Sequence, residues 1–119
     1  MRRALKKVAK MTCPPPFLIS WNITKRCNLK CRHCYLDASE LEGNAELSRE
    51  DARTVVDEIA SLNPHSMLIL TGGEPLMRED CLELGEYASG KGITVVIGTT
   101  GMLLDDETVG RIVNSGIKG

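Results

Sequence analysis

Residues 67–75 read Met-Leu-Ile-Leu-Thr-Gly-Gly-Glu-Pro, a compact apolar run that stops at a pair of glycines. The length and composition of residues 67–71 are those of a buried strand. The two glycines and the proline that follow favour a loop where the strand ends. The fold should therefore be organised around a central strand whose carboxyl end carries Gly72, Gly73 and Glu74.

Amphipathic helix patterns flank this strand on both sides. Ser48 has the character of an N-cap, and apolar residues then repeat at intervals of three and four, so residues 49–62 should form a helix that stops before Pro64. A second helix is predicted over residues 78–89. A third begins after the capping residue Asp105 and should turn three apolar side chains inward, namely Val109, Ile112 and Val113.

Two further strands complete an alternation of strand and helix. Residues 17–24 alternate apolar with polar side chains, which indicates one face against the core and one face lining a wet cavity. Residues 93–98 are apolar and should be buried, and residues 117–119 resemble the start of a fourth strand. The repeated order of strand and helix predicts an α/β fold with a parallel sheet and right-handed crossovers.

A cysteine-rich loop follows the first strand. Residues 27–34 read Cys-Asn-Leu-Lys-Cys-Arg-His-Cys, and these spacings allow the thiols to converge on one centre. The polar residues between the cysteines argue against a buried packing role for the loop. Positive charge on Lys25, Arg26, Lys30 and Arg32 favours the thiolate form that ligates metal. The candidate ligands are Cys27, Cys31 and Cys34.

Three thiolates leave one coordination position of a metal centre open. A structural zinc requires four ligands, and a fully protein-ligated iron–sulfur cluster takes four cysteines. Completion of a zinc site by His33 is disfavoured, because His33 directly precedes Cys34 and neighbouring side chains do not readily face one centre. Cys13, beside three prolines, and Cys81, in the second helix, are expected to lie outside the site.

The three loops that follow the strands should meet at one edge of the sheet. Ligands of parallel α/β folds bind at the carboxyl ends of the strands, where the strand-to-helix loops collect. The cysteine loop follows the first strand, residues 72–75 the second, and residues 99–101 (Thr-Thr-Gly) the third. This edge is the predicted binding site.

The Cys-x3-Cys-x2-Cys loop, the Gly-Gly-Glu-Pro loop after the next strand and the alternating order together resemble the radical S-adenosylmethionine (radical SAM) superfamily. The wording CNLKCRHCYLDA with TGGEPLMR is most similar to members that act on modified tetrapyrroles in alternative haem synthesis or on peptides during maturation. The resemblance implies three βα units of a TIM-like barrel. Residues 17–119 would be a truncated radical SAM core domain, and residues 1–16 a basic N-terminal extension.

In that superfamily, three cysteines hold a 4Fe-4S cluster whose open iron is chelated by S-adenosylmethionine. Reductive cleavage of this cofactor gives a deoxyadenosyl radical that abstracts hydrogen from a substrate. The resemblance therefore implies that Cys27, Cys31 and Cys34 are the cluster ligands in this chain.

The resemblance also implies cofactor contacts. Gly72 and Gly73 would let the backbone approach the methionine moiety closely, and Glu74 would accept from its ammonium group. His33 stands where an aromatic residue is often found and would pack by the adenine. Thr99 matches a strand end that commonly carries hydroxyl or amide side chains near the cofactor.

The length and composition of the chain limit the partners and the cellular location that can be expected for it. At 119 residues the chain amounts to one domain and is shorter than a full barrel enzyme. A net charge of −1 and 3% aromatic residues argue against a nucleic-acid surface. The five cysteines favour a reducing cytoplasm over a secreted disulfide framework, and no apolar stretch is long enough to span a membrane.

Several partners and alternatives follow. A small-molecule or peptide substrate is expected, with an electron donor such as ferredoxin or flavodoxin, and a second chain or self-association to complete the barrel. A non-catalytic iron–sulfur module for electron transfer or interaction is the main alternative to an enzyme. An inactive fragment of a radical SAM enzyme and a structural zinc domain are the others.

Overall fold

The computed structural model describes residues 14–27 and 46–119. Cys31, His33 and Cys34 lie outside these ranges, as does most of the N-terminal extension. The described elements are β1 (Leu18–Thr24), α1 (Arg49–Leu62), β2 (Met67–Gly72), a 3-10 turn (Pro75–Met77), α2 (Cys81–Gly90), β3 (Thr94–Ile97) and α3 (Asp106–Ser115).

The sheet is parallel throughout, with the strand order β1-β2-β3. Trp21 pairs with Leu70, and Leu70 pairs with Ile97, so the three strands are aligned at their carboxyl ends. The register shifts between Asn22 and Thr24, next to the end of β1. The predicted α/β fold with a parallel sheet is confirmed.

The core lies between one face of the sheet and the helices. Leu68, Leu70 and Val95 are fully buried, and they share a cluster with Val56 of α1 and Leu84 of α2. The opposite face is covered less well. Ser20 and Asn22 are exposed there, in agreement with the predicted polar face of β1, but Ile69 is only half-buried. The central strand is therefore buried on one face only, since no described layer covers the other.

Local signals set the first helix. The Ser48 hydroxyl accepts a hydrogen bond from the Asp51 backbone N–H at 3.1 Å, and α1 ends at Leu62 as predicted, with Asn63 as its C-cap. Ala52, Val56 and Ile59 are buried at intervals of four and three residues, which is the pattern of an amphipathic helix.

The predicted start of the second helix is wrong. Residues 75–77 form a 3-10 turn, and α2 begins at Cys81 rather than at Arg78. The backbone N–H of Arg78 closes this turn on the Pro75 carbonyl at 3.1 Å. The Arg78 side chain is buried beside Asp80, so a tertiary contact takes up the residue that begins the apparent helical pattern.

The predicted inward face of the third helix is only partly correct. Asp105 caps α3 by accepting from Thr108 N–H at 2.7 Å, and Ile112 packs against the core. Val109 and Val113 are exposed, because the apolar stripe is wider than the side that meets α2. The helix ends at Gly116, which takes the left-handed conformation expected there (φ +87°).

Residues 117–119 run along the outer edge of β3. Lys118 N–H donates to Val95 O at 2.8 Å, and Ile97 N–H donates to Gly119 O at 2.7 Å. In these two bonds the residue numbers increase in the same direction along both segments, so residues 117–119 run parallel to β3. This agrees with the prediction that a fourth strand starts here. Among the described residues, no helix is long and apolar enough to cross a membrane.

Candidate functional site

The carboxyl ends of the three strands form one continuous rim, defined here as residues 24–27, 72–75 and 98–101. Gly73 N–H donates to Thr24 O at 3.0 Å, and Glu74 N–H donates to Arg26 O at 2.7 Å. These bonds continue the pairing of β1 and β2 past the strands. The loop after β2 therefore lies directly against the entrance of the cysteine loop.

Both glycines are required by this close approach. Gly72 has φ +144°, where side chains are strained, and a Cβ there would collide with the Thr24 carbonyl. A Cβ on Gly73 would collide with the Arg26 carbonyl in the same way. In this structure the glycines admit the backbone of β1.

Glu74 is fully buried at the centre of the rim. One carboxylate oxygen accepts from Leu76 N–H at 3.1 Å and from the Thr99 hydroxyl at 2.6 Å. The other accepts from Thr100 N–H at 2.8 Å and from the Thr100 hydroxyl at 2.6 Å. The charge of Glu74 is thus balanced by four donors of its own chain, three of them on the loop after β3.

These donors determine the ionisation of Glu74. Burial raises the pKa of the carboxyl, but the hydrogen bonds from Thr100, Thr99 and the Leu76 backbone outweigh burial, and the net pKa lies below its usual value. Glu74 is therefore a carboxylate at neutral pH, and acts only as an acceptor.

Cys27 is the described member of the predicted ligand set. It lies buried at the end of the rim, next to the residue that accepts from Glu74 N–H. Cys31, Cys34 and His33 fall outside the described residues. Within residues 14–27 and 46–119, no three His, Cys, Asp or Glu side chains lie close enough together to hold a metal ion.

The two ends of the segment that carries the other cysteines are tied together. The Arg26 Nε forms an ion pair with Glu46 at 3.1 Å, and its Nη2 donates to Met77 O at 2.8 Å. The Thr24 hydroxyl also donates to Glu46. Residues 24–26 and Glu46, at the two ends of this segment, are therefore in contact.

The family model of the Radical SAM superfamily matches residues 21–119. The chain belongs to the radical SAM superfamily. Its fold agrees with that membership: a crystal structure of BtrN in complex with AdoMet and 2-DOIA superposes with a TM-score of 0.72, at 19% identity, over 86% of this chain and 43% of that one. The prediction of a partial TIM-like barrel is confirmed by this likeness.

Curated relatives of this radical SAM chain include proteins of haem synthesis and of peptide maturation. Fe-coproporphyrin III synthase of Methanosarcina barkeri is 42% identical over 84% of the chain and 25% of the relative. Pre-heme d1 synthase of Dinoroseobacter shibae is 38% identical over 80% and 23%. Mycofactocin maturase MftC of Mycobacterium tuberculosis is 33% identical over 82% and 24%.

These names match the two groups of proteins, those of haem synthesis and of peptide maturation, that the sequence of the cysteine loop indicates. The chain spans about a quarter of the length of the curated relatives it matches. Membership implies a 4Fe-4S cluster and S-adenosylmethionine. The individual ligands and contacts stay predictions, although the structure places Gly72, Gly73, Glu74, Thr99 and Cys27 on one rim.

Sequence reasoning missed a buried ion pair beneath the rim of this radical SAM chain. The guanidinium of Arg78 is 4% exposed, contacts Asp80 at 2.6 Å, and donates from Nη1 to Ile23 O at 3.2 Å. Arg78 therefore ties the end of β1 to the start of α2. Its one sequence signal is a pair of opposite charges two residues apart, which is too common to be diagnostic.

Cys81 lies where a packing residue is expected. The side chain is buried, and burial, followed by the negative charges of Asp80 and Glu74, raises the pKa of its thiol to about 12. A thiol that stays protonated is a poor metal ligand. Its burial agrees with the expected packing role, and its position outside the metal site stays a prediction; Cys13 falls outside the described residues.

Proposed function

We propose that this chain binds a 4Fe-4S cluster and S-adenosylmethionine at the rim and performs radical SAM chemistry. The observation that carries the proposal is the meeting of all three strand-end loops at Glu74 in a chain of this superfamily. The cluster ligands would be Cys27, Cys31 and Cys34. The cofactor contacts would come from Gly72, Gly73, the backbone of Glu74, His33 and Thr99.

The described residues fit these groups. Cys27 supplies a soft thiol at the carboxyl end of β1, and the backbone beside it is held by the bond from Glu74 N–H to Arg26 O. The Arg26–Glu46 ion pair closes the base of the segment that holds the other two cysteines. When bound, the cluster and S-adenosylmethionine supply one-electron reductive cleavage and hydrogen abstraction.

The residues of the chain would bind, orient and shield. Ile23 and Thr24 of β1 and Leu70 of β2 are buried next to the rim, which would keep water out of the site on that side. Exposed polar positions Ser20 and Asn22 line the open face of the sheet, which would form the wall of a substrate cavity. We propose a tetrapyrrole or a peptide as substrate, because relatives in haem synthesis and peptide maturation match the chain.

Further elements of the proposal concern partners and location. An electron donor such as ferredoxin or flavodoxin would reduce the cluster, which makes the activity that of an oxidoreductase. Clustered thiols favour the reducing cytoplasm. Residues 17–119 would be the radical SAM core, after an extension over residues 1–16. Exposed apolar side chains on α3 favour association with a second chain or a second copy.

Anaerobic reconstitution tests the function. We expect a brown protein with about four irons per chain, whose low-temperature electron paramagnetic resonance spectrum changes when S-adenosylmethionine is added. A colourless preparation with stoichiometric zinc would contradict the cluster. Iron with a spectrum indifferent to S-adenosylmethionine would instead support a non-catalytic electron carrier.

Single cysteine variants test the ligand assignment. Cys27→Ala, Cys31→Ala and Cys34→Ala should each abolish cluster assembly, since each removes one of three anchors. Cys81→Ala and Cys13→Ala are the matched controls and should keep the iron content of the unaltered chain. Loss of iron in either control would reveal a fourth protein ligand.

A further inference from the structure

Glu74 is bound on two opposite sides. Its backbone N–H reaches the entrance of the cysteine loop at Arg26 O, 2.7 Å away, while its carboxylate reaches the loop after β3. The Glu74 side chain is fully buried, whereas Thr99 is half-buried and Thr100 is exposed. One residue of β2's loop thus joins the loops of both neighbouring strands.

The carboxylate has no acceptor position to spare. A carboxylate offers about four lone-pair sites on its two oxygens. Leu76 N–H, Thr100 N–H and the hydroxyls of Thr99 and Thr100 occupy them, at 2.6 to 3.1 Å. A ligand ammonium group would have to displace one of these donors to contact Glu74 directly.

The hydrogen bonds continue from Glu74 into the loop. Because the carboxylate can only accept, both threonine hydroxyls must donate to it, which directs their lone pairs toward the backbone. The Thr99 oxygen accepts from Gly101 N–H at 3.1 Å, and the Thr100 oxygen accepts from Met102 N–H at 3.3 Å. The orientation of residues 99–102 therefore follows from the charge of a single carboxylate.

We propose that Glu74 is a positioning residue that fixes the loop after β3 against the entrance of the cysteine loop. It acts on the bound cofactor through Thr99 and Thr100 and the backbone they orient, and not by touching the cofactor with its own carboxylate. The effect on cofactor affinity rests on the proposed function, but the hold on the loop does not. The two parts therefore need separate tests.

Hydrogen exchange in the chain without cluster or cofactor tests the hold on the loop. In Glu74→Gln, the amides of Thr100, Gly101 and Met102 should exchange about tenfold faster, because an amide group cannot accept at all four positions. Amides of α1 and β2 should be unchanged. Glu86→Gln removes an equal charge from the exposed side of α2 and should leave the loop unaffected. Unchanged exchange of the three loop amides in Glu74→Gln would overturn the proposal.

Threonine variants keep the test decisive if Glu74→Gln does not fold. Thr100→Val removes the hydroxyl at constant shape and should accelerate exchange of the Met102 amide by about tenfold. Thr100→Ser retains the hydroxyl and should restore the slow exchange. Equal exchange in the two variants would also contradict the proposal.

A double-mutant cycle on S-adenosylmethionine binding to the reconstituted chain tests the route. Glu74→Gln and the pair Thr99→Val with Thr100→Val should each weaken affinity by about tenfold, and the triple variant should be no weaker, because both act through one network. Multiplying losses would mean that Glu74 contacts the cofactor itself. If the unaltered chain holds no cluster and no cofactor, the proposed function fails, while the exchange pattern still decides the role of Glu74.

Discussion

Glu74 and Cys81 are two buried acidic side chains, and only Glu74 is ionised at neutral pH. Hydrogen-bond donors surround Glu74 and keep it charged, whereas Cys81 has two carboxylates near it and remains protonated. Burial favours the neutral form of both groups; it is the main cause of the raised pKa of Cys81, whereas the donors around Glu74 outweigh it there. The consequence for each residue can be measured.

Cys81 should be chemically inert in the folded chain. Its thiol pKa of about 12 leaves almost no thiolate at pH 8, and the side chain is buried. Iodoacetamide should therefore alkylate Cys81 only in denaturant. Mass spectrometry of labelled peptides provides the measurement, with Cys81→Ser as the control for peptide assignment. Labelling of Cys81 under native conditions would contradict both the burial and the raised pKa.

The ionisation of Glu74 should make the free energy of unfolding depend on pH in the acidic range. Its folded-state pKa lies below the usual 4.5, so its contribution is present above that value and is lost as pH falls through the folded pKa. The free energy of unfolding in urea should therefore be higher for the unaltered chain than for Glu74→Gln at pH 7. The difference should narrow as the pH falls below 4.5 and through the folded-state pKa. A gap between the unaltered chain and Glu74→Gln that stays constant with pH would refute the linkage.

Individual site positions could be predicted because strand ends are visible in the sequence. Gly72, Gly73, Glu74 and Thr99 each follow an apolar run, and parallel strands bring such positions to one edge. The partners of Glu74 could not be predicted, because Thr100 is 26 residues away and its contact depends on the spacing of β2 and β3. The resemblance to the radical SAM superfamily pointed to Glu74, but it did not indicate the direction in which the Glu74 carboxylate points.

At the scale of elements, predictions held where the deciding contact is local. Ser48 and Asp105 cap their helices through backbone N–H groups three residues on, so the caps can be recognised in the sequence. The start of α2 was wrong because Arg78 contacts Ile23, 55 residues away. The prediction that Val113 turns inward was wrong, because periodicity identifies an apolar stripe but does not show how much of that stripe another element covers.

The glycines of the rim should tolerate substitution poorly. In Gly73→Ala, the new Cβ would meet the backbone carbonyl of Arg26, which cannot move without breaking the bond to Glu74 N–H. We expect a loss of about 2–3 kcal/mol in the free energy of unfolding. Urea denaturation followed by circular dichroism would measure it.

Gly110→Ala is the matched control within the chain. Gly110 lies inside α3, and apart from its chain neighbours and the backbone of its own helix no described atom lies within 4 Å of the position that its Cβ would take. Alanine should therefore stabilise the helix by about 0.5–1 kcal/mol, because glycine is the poorer helix former. Equal effects of the two substitutions would show that the backbone contact at Gly73 does not constrain the rim.

At the scale of the whole molecule, the described surface carries several exposed large apolar side chains. Val113 is 73% exposed, Phe17 69% and Met102 65%. The open face of the sheet carries the exposed polar residues Ser20 and Asn22, so the two exposed regions differ in chemistry. The polar face suits a wet cavity and the apolar stripe of α3 suits protein, which favours α3 as the surface for association.

Association through α3 should depend on Val113. We expect the unaltered chain, purified without oxygen, to grow in apparent mass with concentration in light scattering, since its exposed apolar side chains are better buried than hydrated. Val113→Lys should shift the distribution toward the monomer, because a charge would enter the contact. Asn114→Lys adds the same charge to an exposed polar position of the same helix and should leave association intact. A chain that stays monomeric at every concentration, or an equal effect of both lysines, would show that the stripe of α3 is not the contact surface.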